Sequence, residues 1–144
     1  VQLLPFQPAP FPPRPLLLPL MGDTVCAGFP SPAEDIHAKR IDLNEQLVKH
    51  PQATFLLRVA GDSMREAGIF DGDVLVVDRA VRPRHRHIVV ATIDNDFTVK
   101  YLHKRQGQLR LVAANPTYPD IVPREGQVMQ VWGVVTACIK QFPV

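Results

Sequence analysis

Cysteine is scarce in this chain. There are two, Cys26 and Cys138, far apart and outside any CxxC pair. That excludes a disulfide-stapled scaffold and a cysteine-based metal or redox motif, and it suits a reducing compartment such as the cytoplasm. Surplus charge is scarce as well: 16 Lys and Arg against 14 Asp and Glu leave a formal +2, too little to attract nucleic acid by net charge. The nearest thing to a basic stripe is Arg79, Arg82, Arg84, His85, Arg86 and His87. It lies between two apolar runs and reads as a solvated turn, so no strong direct nucleic-acid binding is expected. Long apolar runs are missing too. Leu16 to Met21 is broken by Pro19 and is too short to cross a bilayer, so no membrane association is expected. The start also lacks the basic opening of a signal peptide. There is no P-loop and no GxGxxG fingerprint. His85, His87 and His103 lack further ligands at clear metal spacing, and no metal or other cofactor is expected.

Proline, by contrast, is abundant and unevenly placed. Pro5, Pro8, Pro10, Pro12, Pro13, Pro15, Pro19, Pro30 and Pro32 all fall within residues 1–33. They exclude a regular helix or a central strand and predict an extended arm. Residues 34–144 then form one domain. Its first part, 34–50, reads as helical, capped by Ser31 or Asp35, with Ile36, Ile41, Leu43 and Leu47 on an imperfect apolar face. A break is expected near Lys39–Ile41 and a stop at Pro51. From residue 53 onward the pattern is that of strands: 54–59, 73–78, 88–93, 97–102, 109–113, 128–131 and 133–139. Asp94-Asn95 between two such runs marks a tight hairpin. Strands this short and closely spaced predict a mainly β, folded antiparallel sheet rather than βαβ units.

Two features carry chemistry. In Gly61-Asp62-Ser63-Met64 a serine follows a strand and a glycine, which suits presentation on a sharp turn whose amides point at a developing oxyanion. In Phe97-Thr98-Val99-Lys100, alternation puts Thr98, Lys100 and Leu102 on one face of a strand. A lysine among Val, Tyr and Leu is partly desolvated, which lowers its pKa and lets the neutral amine take a proton from a serine hydroxyl. From these residues alone the plainer readings stay open: a turn serine and a strand lysine whose stem lies on the sheet while its head reaches water. A Ser-His-Asp triad using Ser63 has no positional support.

The motifs taken together go further. Gly61-Asp62-Ser63-Met64, Ala67-Gly68-Ile69-Phe70-Asp71-Gly72-Asp73 and Leu75-Val76-Val77-Asp78 resemble the catalytic region of the LexA-type self-cleaving serine peptidases. Phe97-Thr98-Val99-Lys100, 37 residues beyond Ser63, resembles their lysine strand. Ala114-Asn115-Pro116 and Val131-Trp132-Gly133-Val134-Val135 resemble the family's tail. Cys26-Ala27-Gly28-Phe29-Pro30-Ser31-Pro32-Ala33-Glu34-Asp35, Ile41-Asp42-Leu43-Asn44 and His50-Pro51-Gln52-Ala53-Thr54 resemble its UmuD-type mutagenesis branch. The resemblance implies a LexA/signal-peptidase-like catalytic fold. It implies Ser63 as nucleophile, Lys100 as general base, the amides of Asp62 and Ser63 as oxyanion donors, and Ala27–Gly28 as the scissile bond in the chain's own arm. It also implies a homodimer, stimulation by a RecA–single-stranded DNA filament, and a trimmed product that works with a UmuC-type DNA polymerase in translesion synthesis. Where the family often has Gly-Asp before the third strand, this chain has Arg86-His87. A LexA-like repressor would need a DNA-reading helix pair that the Pro-rich residues before Ala27 do not supply, and a signal peptidase would need a membrane anchor. A catalytically inactive binding relative would keep the motifs without the cleavage.

Overall fold

The computed structural model describes residues 14–22, 25, 27–30 and 39–144. The chain divides into two compact units, Val1–Leu47 and Val48–Val144. The arm boundary expected at 33/34 lies outside the described residues, as do Cys26, Ser31, Asp35 and Ile36.

In the first unit, β1 (Leu17–Leu20) pairs antiparallel with β2 (Lys39–Asp42), with Pro19 opposite Arg40. A two-stranded ribbon tolerates Pro19 because the missing N–H interrupts no central ladder. Asp42 ends β2 and starts α1 (Leu43–Leu47). Its Oδ1 accepts the amides of Asn44 at 3.0 Å and Leu16 at 2.9 Å, which satisfies a free donor at the helix start. The helix expected over 34–50 is therefore corrected. Residues 39–42 are a strand, the helix is the single turn that Asp42 caps, and Pro51 opens a short 3-10 turn at Pro51–Ala53 instead of ending a long helix. Lys39, Arg40 and Ile41 join the ribbon because backbone pairing with 17–20 outcompetes a weak and incomplete apolar helix face.

The second unit is a six-stranded antiparallel sheet. Its strands are β3 (Thr54–Arg58), β4 (Val74–Asp78), β5 (Ile88–Ile93), β6 (Asp96–Arg105), β7 (Gln108–Val112) and β8 (Met129–Ile139), in spatial order β3-β4-β8-β5-β6-β7. Asp94 and Asn95 both have positive φ, +48° and +72°, as a tight hairpin between right-twisted strands requires. The last two strands expected from the sequence are one. β8 carries two bulges: Val90 faces Gly133 while Ala91 faces Val131, leaving Trp132 unpaired, and Val76 faces Ala137 while Val77 faces Val135, leaving Thr136 unpaired. Each bulge adds one residue and resets the in–out alternation, so the pattern looked like two strands. A Cβ at Gly133 would stand 2.6 Å from Val77 Cγ1, so only glycine fits at this crossing.

Two apolar clusters hold the sheet. Val59, Met64, Ile69, Leu75, Val77, Val90 and Ala114 form one, and Val89, Ala91, Leu102, Leu111 and Val134 the other. Each fully buried Leu or Met contributes roughly 1.5–3 kcal/mol. Met64, immediately after Ser63, is 1% exposed, so the first cluster anchors the turn that carries the serine. No helix is long and apolar enough to cross a membrane among the described residues.

Candidate active site

The serine turn is assembled by short-range bonds on a glycine. Val59 donates to the Asp73 carbonyl and Gly72 to that of Val59, both at 2.8 Å, extending the β3–β4 ladder past Arg58. The chain then reverses at Gly61, whose φ of +92° suits a residue without Cβ. The Gly61 amide is held by Asp71 Oδ1 at 2.8 Å. Arg65 donates to the Asp62 carbonyl at 3.2 Å, which opens the 3-10 turn Arg65–Ala67 and leaves Ser63 at its head.

Lys100 comes from the middle of β6, opposite Val89 of β5. It is one of two buried charged residues among those described, at 7% exposure. Its Nζ lies 2.8 Å from Ser63 Oγ, 2.9 Å from Thr98 Oγ1 and 3.1 Å from the Val99 carbonyl. Three partners suit either protonation state. The ammonium donates to all three; the neutral amine donates to Thr98 and Val99 and turns its lone pair to the Ser63 hydroxyl. Ser63, Thr98 and Lys100 line a cavity of about 230 Å³ whose apolar wall includes Leu57, Val59, Leu75, Val90 and Phe97. No carboxylate lines it among the described residues. Burial without a counter-charge pushes the Lys100 amine below the ordinary lysine pKa.

The turn is braced from outside by residues 114–118. Asn115 Nδ2 donates to the Asp62 carbonyl at 3.0 Å, Tyr118 donates its hydroxyl to Asp62 Oδ1 at 2.5 Å, and Glu66 donates its amide to the Ala114 carbonyl at 2.8 Å. The bond to the Asp62 carboxylate raises the Tyr118 pKa. Thr98 and Asn115 stood inside motifs singled out in the sequence without a role of their own. Tyr118 gave no sequence signal, because its contact with Asp62 spans 56 residues.

Ala27 and Gly28 belong to the first unit and are exposed there, as is Val25. No histidine lines the Ser63 cavity among the described residues. His50 Nδ1 instead pairs at 2.6 Å with Asp78, a carboxylate 2% exposed whose other oxygen accepts the Ala80 amide at 2.8 Å. That contact gives a buried carboxyl group at the end of β4 a partner. Cys138 is a free, half-buried thiol whose pKa is raised, chiefly by burial, so it is a poor nucleophile.

A family description, peptidase S24-like, matches residues 19–136. The chain belongs to the peptidase S24-like family. It is similar to protein SamA of Salmonella typhimurium, 45% identical over 121 residues that cover 84% of each chain. It is similar to protein MucA of Escherichia coli, 42% identical over 128 residues, 88% of this chain and 87% of MucA. It is also similar to the LexA repressor of Halorhodospira halophila, 44% identical over 111 residues, 76% of this chain but 48% of the repressor. The mainly β, antiparallel fold is consistent with an S24-like protein, and the UmuD-like resemblance read from the motifs holds over most of the chain.

Proposed function

We propose that this S24 protein is a self-cleaving serine peptidase of SOS mutagenesis, using Ser63 as nucleophile and Lys100 as general base on its own Ala27–Gly28 bond. The observation that carries the reading is the 2.8 Å contact between Lys100 Nζ and Ser63 Oγ in a pocket that depresses the lysine pKa. Neutral Lys100 takes the Ser63 proton as Oγ attacks the Ala27 carbonyl carbon. The amides of Asp62 and Ser63 receive the resulting oxyanion. The C–N bond breaks, Lys100 returns its proton to the Gly28 nitrogen, and residues 1–27 remain as an ester on Ser63. Water, deprotonated by Lys100, then releases the acid and restores the serine. Small side chains at Ala27 and Gly28 favour close approach of the two backbones.

Residues 1–33 act as the substrate arm and 34–144 as the peptidase-like domain. The protein works as a homodimer in the cytoplasm. A RecA–single-stranded DNA filament favours the arm conformation that enters the pocket, a population shift rather than a donated catalytic group. The product from Gly28 onward joins a UmuC-type polymerase in translesion synthesis. Incubation of the full chain with and without activated RecA filament tests this, read by intact mass. The expected result is faster appearance of a fragment starting at Gly28 when the filament is present. A cut at another bond, or a rate indifferent to the filament, would refute the corresponding part.

A further inference from the structure

The basic run before β5 does not stand alone in the fold. Arg86 donates its amide to the Leu102 carbonyl at 2.7 Å, and Lys104 donates its amide to His85 Nδ1 at 3.0 Å. The rings of His85 and His103 meet edge to face with centroids 5.1 Å apart. The turn is thus docked on the β6–β7 hairpin, and His85 and Arg86 join His103, Lys104, Arg105 and Arg110. His103, Arg105, Gln106, Gln108 and Arg110 line a second cavity of about 240 Å³, with no carboxylate in its lining among the described residues. Asp120 neutralises one edge, 3.1 Å from Arg110 Nη1.

Two further observations bear on what this face would attract. Both ring nitrogens of His85 face N–H donors: the Lys104 amide, and Arg105 Nε at 3.3 Å. A neutral imidazole accepts at only one of them, so donors outnumber acceptors here. Desolvation, together with the nearby Arg105, His103 and Arg86, lowers the His85 pKa. Second, Arg86 sits at φ +73°, a conformation that disfavours side chains. Strain kept for a charged side chain marks a candidate functional position.

We propose that this face binds the phosphodiester backbone of a nucleic-acid strand, without regard to base sequence. Arg105 and Arg110 lie on the same face of adjacent strands with Cα positions about 8 Å apart, wider than one phosphate and suited to successive charges on a strand. Among the described residues the lining offers guanidinium, imidazole and amide donors but no Phe, Tyr or Trp on which bases could stack. Binding is weak and salt-sensitive, in keeping with a formal charge of +2. The surface shares no lining residue with the Ser63 cavity, so the inference does not rest on the cleavage mechanism.

The test is fluorescence anisotropy of the full chain with a labelled, mixed-sequence single strand of about 20 nucleotides, titrated with salt upward from about 50 mM. Binding should weaken linearly in log–log coordinates. The slope should fall by about 0.7 for each arginine removed, so by about 1.4 in the double variant Arg105→Gln, Arg110→Gln. Arg86→Gly should lose its share of the slope while its melting temperature rises, which separates lost contact from lost fold. Unchanged slopes in both variants would overturn the proposal. So would displacement of the labelled strand by polyglutamate, or by inorganic phosphate at equal phosphate concentration, as readily as by unlabelled strand.

Discussion

Lys100 shows how a single residue sets stability against chemistry. Its three neighbours are neutral oxygens, and burial disfavours its charge. The unfolded chain therefore binds more protons at this position than the folded one, between the lowered native pKa and the ordinary lysine value of 10.5. By linkage the penalty is full below that window and is relieved as pH rises through it. Lys100→Met keeps the stem and removes the ammonium. It should raise the melting temperature at neutral pH, and the advantage should shrink on going to alkaline pH. Thermal melts of both proteins across pH decide this; a variant less stable at neutral pH would mean that the three hydrogen bonds outweigh desolvation. Thr98 is the other residue of consequence here. Its Oγ1 gives the amine a second partner and leaves the lone pair of the neutral form directed at Ser63.

At the scale of elements, the site depends on segments that lie far apart in sequence. The serine turn is fastened below by Met64 in the first core cluster and outside by Asn115 and Tyr118. Both braces end on Asp62, the residue whose carbonyl opens the 3-10 turn and whose amide neighbours that of Ser63. Asn115→Ala should therefore slow the proposed self-cleavage by between about 10- and 100-fold, the scale on which small misplacements of reacting groups act. Tyr118→Phe should act in the same direction but less strongly, with little change in melting temperature because Tyr118 is exposed. Cleavage time courses of the two variants check this, and rates equal to the parent would show that residues 114–118 do not position the nucleophile. β8 makes a parallel contribution. Its bulges at Trp132 and Thr136 let one strand pair with both β4 and β5 while Gly133 passes close to Val77.

For the whole molecule, most of the sheet was legible because its signals are local. β3 to β7 lie within a residue or three of their expected places, since β-rich runs and the Asp94-Asn95 turn are written in consecutive residues. The continuity of β8 was hidden because a bulge breaks alternation just as a loop does. The one-turn helix at Leu43–Leu47 was misread as the centre of a longer one. What displaces that helix is a partner strand at 17–20, and strand pairing over that distance leaves no periodic mark. Ser63 and Lys100 were legible as residue types in motifs, but their contact spans 37 residues and needed the fold. The docking of the basic turn on the β6–β7 hairpin was invisible for the same reason.

The central claim is that Ser63 and Lys100 cut the chain together. The most direct measurement is the intact mass of the purified protein over time at several pH values from neutral to alkaline, beside Ser63→Ala and Lys100→Ala. The account predicts a fragment starting at Gly28 from the native chain alone. Its rate should climb with pH as Lys100 loses its proton and then level off. A native chain that stays whole throughout, or a Lys100→Ala protein that cleaves as fast as the native one, would contradict it.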